Sequence, residues 1–301
     1  MIQTIYKIIY QEKINLVLRN LNKFLKPILP KRIQIPPSGV LEVKIPGGRN
    51  VLKLKTNQTS YFTQLFFWEG GIQQFEYTDI FLQLIKEINI FYDIGANIGF
   101  YSLIAAIENK NMKIVSFEPA SGPLYYFREN VRLNNCDNIK VEPIALSNKE
   151  GKIDFYEVRN IKYTYLKHNL SGESNAGSNK NVKNLILHDV TSSTLDNYVR
   201  EHHEETIDLI KMDTEGTEHL ILEQSKYILQ HMKPIIICET LFNTIENELE
   251  EIMLEFGYEF FNHIPEGLKQ VSTIKRNEDN CVRNCFFVHP VKKDLIKKFI
   301  V

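Results

Sequence analysis

From about residue 85 onward, short apolar segments alternate with longer segments of helical periodicity. The apolar segments have the length of strands and cover residues 90–93, 113–118, 139–145, 207–213, 234–239, 258–262 and 285–289. The helical segments cover residues 98–108, 121–135, 215–230 and 243–256. Strands that alternate with helices form a mostly parallel sheet with helices on both faces. The sequence therefore predicts an α/β domain over residues 85–301.

Two extensions precede this domain. Residues 1–37 combine an amphipathic helix, predicted over 1–29, with a Pro-rich linker that ends the helix. Residues 38–84 contain a predicted β-hairpin at 40–55, whose turn is rich in Pro and Gly, followed by an aromatic stretch. We expect three regions in the order helix and linker, hairpin and aromatic segment, and α/β domain.

The predicted N-terminal helix is basic. Its polar side carries Lys7, Lys13, Arg19, Lys23 and Lys26, and Glu12 is the only acid. Two uses are open for such a helix. It can contact an anionic membrane surface, or it can pack its Ile and Leu face on the α/β domain or on a second subunit. We expect packing, because the apolar face is modest and interrupted.

The first strand of the α/β domain ends in the segment "FYDIGANIGFYS", residues 91–102. In parallel sheets, ligands bind beyond the carboxyl ends of the strands. Gly95 allows a tight turn after Asp93, and Gly99 allows the following helix to approach the sheet closely. Asn97 tolerates the left-handed conformation and adds a side-chain amide. This loop can therefore lie flat beneath a ligand.

The charges around the loop indicate the kind of ligand. A pyrophosphate bound at a helix N-terminus favours an uncharged loop, whereas Asp93 places an acid just before the first glycine. The second strand ends in "IVSFEP", so Glu118 can accept both hydroxyls of a ribose. S-adenosylmethionine carries an ammonium, a sulfonium and a ribose, and it fits this pattern. The alternative is a structural turn without a ligand.

The chain also resembles the FkbM-type methyltransferases, a branch of the class I S-adenosylmethionine-dependent enzymes. The matching segments span roughly residues 88–240 and include "FYDIGANIGFYSLIAA", "VSFEPASGPLYYFRENVRLNN", "IDLIKMDTEGTEHLILEQ" and "KPIIICET". The resemblance implies a Rossmann-like, seven-stranded sheet whose last strand is antiparallel. It also implies these cofactor contacts: Asp93, Gly95, Asn97 and Gly99 at the methionine part, Glu118 at the ribose, and Ala145 and Ser147 near the adenine.

Carboxylates follow the fourth and fifth predicted strands. Asp213 and Glu239 end these strands, and Glu215 and Glu218 fall in the first turn of a helix. We expect Asp213 to act as a general base or to orient the acceptor, with Glu215 and Glu239 completing the catalytic set. Structural roles stay open, since acids complement a helix dipole and Glu218 can cap its helix. A divalent metal held by Asp213 and Glu239, with Thr240 or Glu215, is a further alternative.

These features predict an O-methyltransferase that acts on a hydroxyl of a sugar, a glycan or a secondary metabolite. An N-methyltransferase of the same fold and a catalytically silent scaffold are the alternatives. The formal net charge of −1 gives no field that favours nucleic acid. We expect the Asn-, Ser- and Gly-rich segment 167–184 to form a mobile loop over a small-molecule or glycan acceptor.

The sequence also bears on location. The four cysteines form no CxxC pair, and no His cluster completes a zinc site, so we expect reduced thiols. Lys7, Glu12 and Lys13 interrupt the apolar core that a signal peptide needs. No segment approaches the ~20 apolar residues of a transmembrane helix. We therefore expect a cytoplasmic protein, with peripheral membrane contact through the N-terminal helix as the less favoured alternative.

Overall fold

The computed structural model describes residues 2–28, 30, 33–72, 75–158, 160–170 and 184–301. The strands are β1 (Gly39–Lys44), β2 (Val51–Thr56), β3 (Ile90–Ile94), β4 (Lys113–Phe117), β5 (Ile139–Glu142), β6 (Ala145–Leu146), β7 (Gly151–Val158), β8 (Leu185–Ser193), β9 (Leu209–Met212), β10 (Ile235–Glu239), β11 (Glu259–Ile264), β12 (Gly267–Val271) and β13 (Asn284–Val288). The α-helices are α1 (Ile2–Ile9), α2 (Glu12–Phe24), α3 (Tyr61–Trp68), α4 (Thr78–Leu84), α5 (Phe100–Glu108), α6 (Ser121–Asn134), α7 (Leu195–Glu201), α8 (Glu218–Glu223) and α9 (Glu246–Glu255). A π-helical turn covers Ile228–Met232, and 3-10 turns cover Pro290–Leu295 and Lys297–Phe299.

The central sheet has eight strands in the order β12-β11-β13-β10-β9-β3-β4-β5. Strands β3, β4, β5, β9 and β10 are parallel to their neighbours in this group, and β13 runs antiparallel to both β10 and β11. Without the edge strand β12, this is a seven-stranded sheet with the last strand reversed, so the predicted fold is confirmed. The sequence did not predict β12, which adds to β11 in antiparallel pairing.

Both faces of the sheet are covered, as predicted for a mostly parallel sheet. Successive residues of β3 point to opposite faces. Phe91 packs in one apolar layer with Leu103 of α5, and Tyr92 packs in the other with Leu222 of α8 and Leu249 of α9. All five side chains are buried, so the carboxyl ends of the strands project from a rigid core.

The predicted helix at 215–230 is wrong as a single helix. The structure has α8 and then the separate π-helical turn Ile228–Met232. The hydroxyl of Ser225 donates to the carbonyl of Ile221 at 2.7 Å and competes with the regular helix ladder. The carboxylate of Asp196 accepts the N–H groups of Tyr227 and Ile228 and so starts a new segment.

A second, three-stranded sheet lies beyond β5, in the order β6-β8-β7. Its main pair joins β7 and β8 in antiparallel register from Gly151 opposite Ser192 to Val158 opposite Leu185. The sequence did not predict this sheet or helix α7. The expected mobile loop at 167–184 falls between β7 and β8, and its residues 171–183 lie outside the described residues.

The predicted hairpin is confirmed as β1 and β2, which pair antiparallel. It packs on the α/β domain through α6. The side chains of Asn134 and Asn130 accept the backbone N–H groups of Lys53 and Lys55 at 2.9 and 2.6 Å. These bonds satisfy the outer edge of β2 and attach the hairpin to the domain.

The N-terminal segment forms two helices, α1 and α2, instead of one. In α2, the expected orientation is wrong: Asn15, Arg19 and Asn22 are buried, whereas Val17 and Leu21 are exposed. The polar side of α2 therefore packs inward, and its apolar side faces outward. In the described part of the chain, no helix has the length and apolar character needed to cross a membrane.

Candidate active site

The glycine loop joins β3 to α5. Gly95, Asn97 and Gly99 all have positive φ angles, of 73°, 52° and 85°. The left-handed conformation predicted for Asn97 is therefore confirmed. A Cβ atom at Gly95 would lie 1.9 Å from the carbonyl oxygen of Asp213. The loop after β3 thus touches the chain just beyond β9, and only glycine permits this approach.

Gly99 has a different role from the one predicted. A Cβ atom at this position would lie 2.1 Å from the ring of Phe127 in α6. The close approach that Gly99 allows is therefore to α6, and the expected approach of α5 to the sheet is not its main effect. On the same helix, buried Asn130 donates to the carbonyl of Ile98 at 3.1 Å. A lone polar residue beside Phe127 on the inner face of α6 was the signal for this contact, and the sequence analysis missed it.

Glu118 follows β4 and holds the glycine loop from the other side. Its Oε2 accepts the N–H of Asn97 at 2.7 Å, and its Oε1 accepts the N–H of Ala120 at 2.8 Å. Burial raises the pKa of Glu118 to about 7, although the two backbone hydrogen bonds favour the charged form. A carboxylate oxygen has two acceptor positions, so each oxygen keeps one for the hydroxyls of a ligand.

A pocket opens above this loop, at the carboxyl ends of β3, β4 and β9. Six of the residues predicted for the site line it, namely Gly95, Asn97, Glu118, Ala145, Asp213 and Glu215. The other four lie outside its wall, namely Asp93, Gly99, Ser147 and Glu239. The sequence analysis missed several lining residues, among them Phe62, Phe75, Glu76, Tyr101, Phe155, Leu170 and Lys211.

Lys211 connects two of the predicted acids. Its Nζ lies 3.7 Å from Oδ1 of Asp93 and 3.3 Å from Oδ2 of Asp213, and it donates to the carbonyl of Gly95 at 3.2 Å. Burial opposes the charge on Lys211, but Asp213 and Asp93 outweigh it and raise its pKa. The other oxygen of Asp93 accepts a hydrogen bond from Ser102 at 2.5 Å. Asp93 therefore acts on the pocket through Lys211.

Glu76 is a further acid in the pocket wall. It has a φ of 44°, which is unusual for a residue with a side chain. Its carboxylate accepts the hydroxyl of Tyr101 at 2.9 Å, and the ring of Tyr101 stacks on Tyr77. Partial desolvation by the surrounding pocket wall, followed by repulsion from Asp213, raises the pKa of Glu76. Because Glu76 precedes the α/β domain by sequence, the strand and helix pattern gave no signal for it.

The remaining predicted acids are Glu218, Glu215 and Glu239, and only Glu215 lines the pocket. Glu218 is the first residue of α8, and its carboxylate accepts the N–H of Thr214 at 2.6 Å, so it holds the loop before the helix and does not cap α8. Glu215 lines the pocket with a φ of 59°. At the end of β10, burial and repulsion from Asp213, Glu215 and Glu218 raise the pKa of Glu239.

The donor set for a metal ion is missing from the described part of the chain. No three His, Cys, Asp or Glu side chains there converge closely enough to hold one. Asp213, one of the two proposed ligands, is instead paired with the ammonium group of Lys211. The interpretation of Asp213 and Glu239 as metal ligands therefore finds no support in this geometry.

The order of strands, the reversed last strand, the glycine loop and the acid after β4 together define a class I S-adenosylmethionine-dependent methyltransferase. The sequence model of the methyltransferase FkbM domain matches residues 93–260, which is more than half of the chain. The chain belongs to the FkbM methyltransferase family, and the resemblance noted from its motifs is confirmed. Among curated proteins, none matches the sequence significantly.

Solved structures similar to this chain include other methyltransferases. The methyltransferase FkbM from Methylobacillus flagellatus KT is 13% identical, with a TM-score of 0.43 over 67% of this chain and 43% of its own. The chain therefore spans less than half the length of that relative. Precorrin-6y C5,15-methyltransferase from Geobacter metallireducens GS-15 is 10% identical, with a TM-score of 0.39 over 70% and 86% of the two chains. Wild-type Trm5b from Pyrococcus abyssi is 13% identical, with a TM-score of 0.40 over 83% of this chain and 55% of its own.

Proposed function

We propose that this methyltransferase acts on a hydroxyl oxygen of a sugar, a glycan or a secondary metabolite. The observation that carries the proposal is the position of Asp213. Its carboxylate lines the pocket with 40% of the side chain exposed, whereas Asp93 and Glu118 are buried. A hydroxyl is a poor nucleophile until its proton has an acceptor, and an accessible carboxylate can take that proton.

The residues of the pocket fit S-adenosylmethionine. Glu118 keeps acceptor positions for ribose hydroxyls, and the acid Glu76 suits an ammonium group. Apolar side chains that include Leu146 and Phe155 suit a purine ring. When bound, this cofactor supplies a methyl group already activated by its sulfonium.

Two charged or titratable neighbours, Lys211 and Glu239, act on the proposed base. The ammonium group of Lys211 pairs with Oδ2 of Asp213 at 3.3 Å and so orients the carboxylate. The closest contact between the two side chains does not involve Oδ1 of Asp213. The raised pKa of Glu239 favours its protonated form near neutral pH. Glu239 is therefore suited to donate a hydrogen bond, and Asp213 is suited to accept the proton.

The four cysteines are free thiols, which supports the further proposal of a cytoplasmic location.

The test is to identify the atom that is methylated. The protein is incubated with methyl-labelled S-adenosylmethionine and separate pools of glycans and hydroxylated metabolites, and the labelled product is analysed by mass spectrometry and NMR. We expect a methyl ether. A methylamine as the labelled product would contradict the proposal and favour nitrogen transfer. Absence of cofactor binding in calorimetry would instead favour the silent scaffold.

A further inference from the structure

Helix α2 is attached to the rest of the protein by its polar side. Asn15 donates to the carbonyl of Pro36 at 3.1 Å and accepts the N–H of Ser38 at 2.7 Å. Asn22 accepts the N–H of Ile35 at 2.8 Å. The described residues 34–38, which lead into β1, contain two prolines and form no regular secondary structure, so the asparagines satisfy backbone groups there.

The basic residues of α2 serve the same attachment. Arg19 donates to the carbonyls of Ser38 and Val40 at 3.1 and 2.7 Å. Lys23 and Lys26 donate to the last two carbonyls of α3, those of Phe67 and Trp68, each at 2.7 Å. The C-terminus of a helix carries unpaired carbonyls and partial negative charge, and lysines are favourable there. These contacts explain why the polar side of α2 faces inward.

The opposite side of α2 carries a stripe of large apolar residues. Val17, Leu21 and Phe24 follow one another at helical spacing, Ile28 lies in the turn after α2, and Phe24 is 80% exposed. Ile2, Ile5 and Ile8 of α1 are exposed as well, and we call these seven residues together the outward apolar face of α1 and α2. Among the described residues, 8 of the 19 exposed large hydrophobic side chains lie within residues 2–28. Exposed apolar side chains that are concentrated in one region mark an interaction site, whereas single ones scattered over a surface are ordinary.

Positive charge accompanies this face. Of the five Lys and Arg side chains in residues 2–28, Arg19, Lys23 and Lys26 make the inward hydrogen bonds described above, so Lys7 and Lys13 remain for the outward side. Lys13 lies one helical turn before Val17 and is therefore on the same side of α2. Lys7 is exposed on α1. The face thus combines apolar side chains with a cationic border.

We propose that the outward apolar face of α1 and α2 binds the surface of an anionic lipid bilayer. Exposed apolar side chains can enter the boundary between headgroups and acyl chains, while lysines contact anionic headgroups. A second copy of the chain fits less well as the occupant. A two-fold interface places the same patch on itself, so the basic border of one copy would meet that of the other. An anionic surface complements both the shape and the charge of the face.

The position of α1 connects this surface with the active-site pocket. Tyr163 contacts the rings of Tyr6 and Tyr10 edge-on, with centroids 5.1 and 5.4 Å apart. The same segment, 160–170, continues to Asn169 and Leu170, which line the pocket. The bilayer-binding face therefore adjoins a segment that borders the pocket. The inference does not depend on which atom is methylated.

The test is co-sedimentation of the full chain with vesicles. Vesicles of phosphatidylglycerol and phosphatidylcholine are compared with pure phosphatidylcholine vesicles at low and at high salt. We expect binding to the anionic vesicles, weakened by salt because charges at the surface are screened. The double variant Val17→Glu/Leu21→Glu should lower the partition coefficient by about tenfold or more, since two apolar side chains no longer enter the bilayer.

The matched control is Val291→Glu/Leu254→Glu. The exposed fractions are alike, at 65% and 68% for the two valines and 53% for both leucines, and both variants add the same charge. We expect the control to bind vesicles as the wild type does, with all three proteins melting at similar temperatures.

Wild-type protein that stays in solution with anionic vesicles at low salt would overturn the proposal. An equal loss of binding in the control would also overturn it, because the effect would then be one of net charge. A dimer in sedimentation velocity that Val17→Glu/Leu21→Glu dissociates, without vesicle binding by the wild type, would assign the face to a second copy.

Discussion

The carboxylate of Glu118 accepts the backbone N–H of Asn97 over 2.7 Å. The acid that follows β4 thereby fixes the left-handed turn of the loop that follows β3. Both groups are held before any ligand binds, so the ligand need not order them, and binding loses less conformational entropy.

The pH dependence of cofactor binding follows from this pair. With the pKa of Glu118 raised to about 7, its carboxyl is protonated below that pH and loses acceptor capacity. We expect the affinity for S-adenosylmethionine, measured by calorimetry from pH 5.5 to 8.5, to rise with pH through about 7 and then to level off. Glu118→Gln should weaken binding at high pH by ~1–3 kcal/mol and remove this dependence. An unchanged pH profile in Glu118→Gln would assign the titration to another group, such as the ammonium of the cofactor.

Replacement of the proposed base should separate catalysis from binding. We expect Asp213→Asn to keep the cofactor affinity within a few-fold and to lower turnover by roughly 10²–10⁴, the range for loss of a general base. The exposed strand residue Asp189 provides the control, and Asp189→Asn should leave both quantities unchanged. Turnover is measured as release of S-adenosylhomocysteine with the acceptor found in the labelling experiment. Near-normal turnover in Asp213→Asn would place the base elsewhere or favour transfer to nitrogen.

Removal of Lys211 should destabilise the protein by leaving Asp93 buried without its partner. We expect Lys211→Met to lower the free energy of unfolding in urea by ~3–5 kcal/mol. Asp93→Asn/Lys211→Met should recover part of this loss, because the unpaired charge is gone. Lys269→Met, at an exposed position of β12, is the control and should change little. A loss below ~1 kcal/mol in Lys211→Met would mean that water or another cation already compensates Asp93.

Alanine substitutions at Gly99 and Gly47 separate two ways in which an added Cβ destabilises the protein, namely steric contact and backbone strain. Both have positive φ, 85° and 73°, but an added Cβ meets Phe127 at Gly99 and has no described atom within 4 Å at Gly47. We expect Gly47→Ala to cost ~1 kcal/mol, the lower end of the range for backbone strain. Gly99→Ala should cost ~1–3 kcal/mol more through overpacking. Thermal unfolding measures both, and Gly99→Ala/Phe127→Leu should recover stability. Equal losses at the two positions would contradict the steric account.

Much of the α/β domain could be predicted because its signals are local. The ends of β3, β4 and β10 were visible as apolar runs, and the positive φ of Asn97 followed from the residue type. Glu118 could be found because it directly follows a strand in a parallel sheet. Such inferences need only the spacing of neighbouring residues and the rule that strand ends form sites.

The missed residues depend on contacts that spacing does not encode. Lys211 points from β9 toward Asp93, which is distant in sequence, and Glu76 reaches the pocket from the segment before the domain. The orientation of α2 was predicted wrongly for a related reason. Helical periodicity identifies its two sides, but the open carbonyls of α3 that attract Lys23 and Lys26 become apparent only in the folded chain.

Buried Asn130 bonds both the carbonyl of Ile98 and the N–H of Lys55, so one amide group joins the glycine loop to the hairpin. A recombinant fragment cut at the start of the matched family region, residue 93, would keep the loop and lose the hairpin. It would also lose Phe62 and Glu76 from the pocket wall. The part of the chain that builds the pocket is therefore larger than the part that the family model matches, and a gene fusion or swap cut at residue 93 would transfer a pocket with one side open.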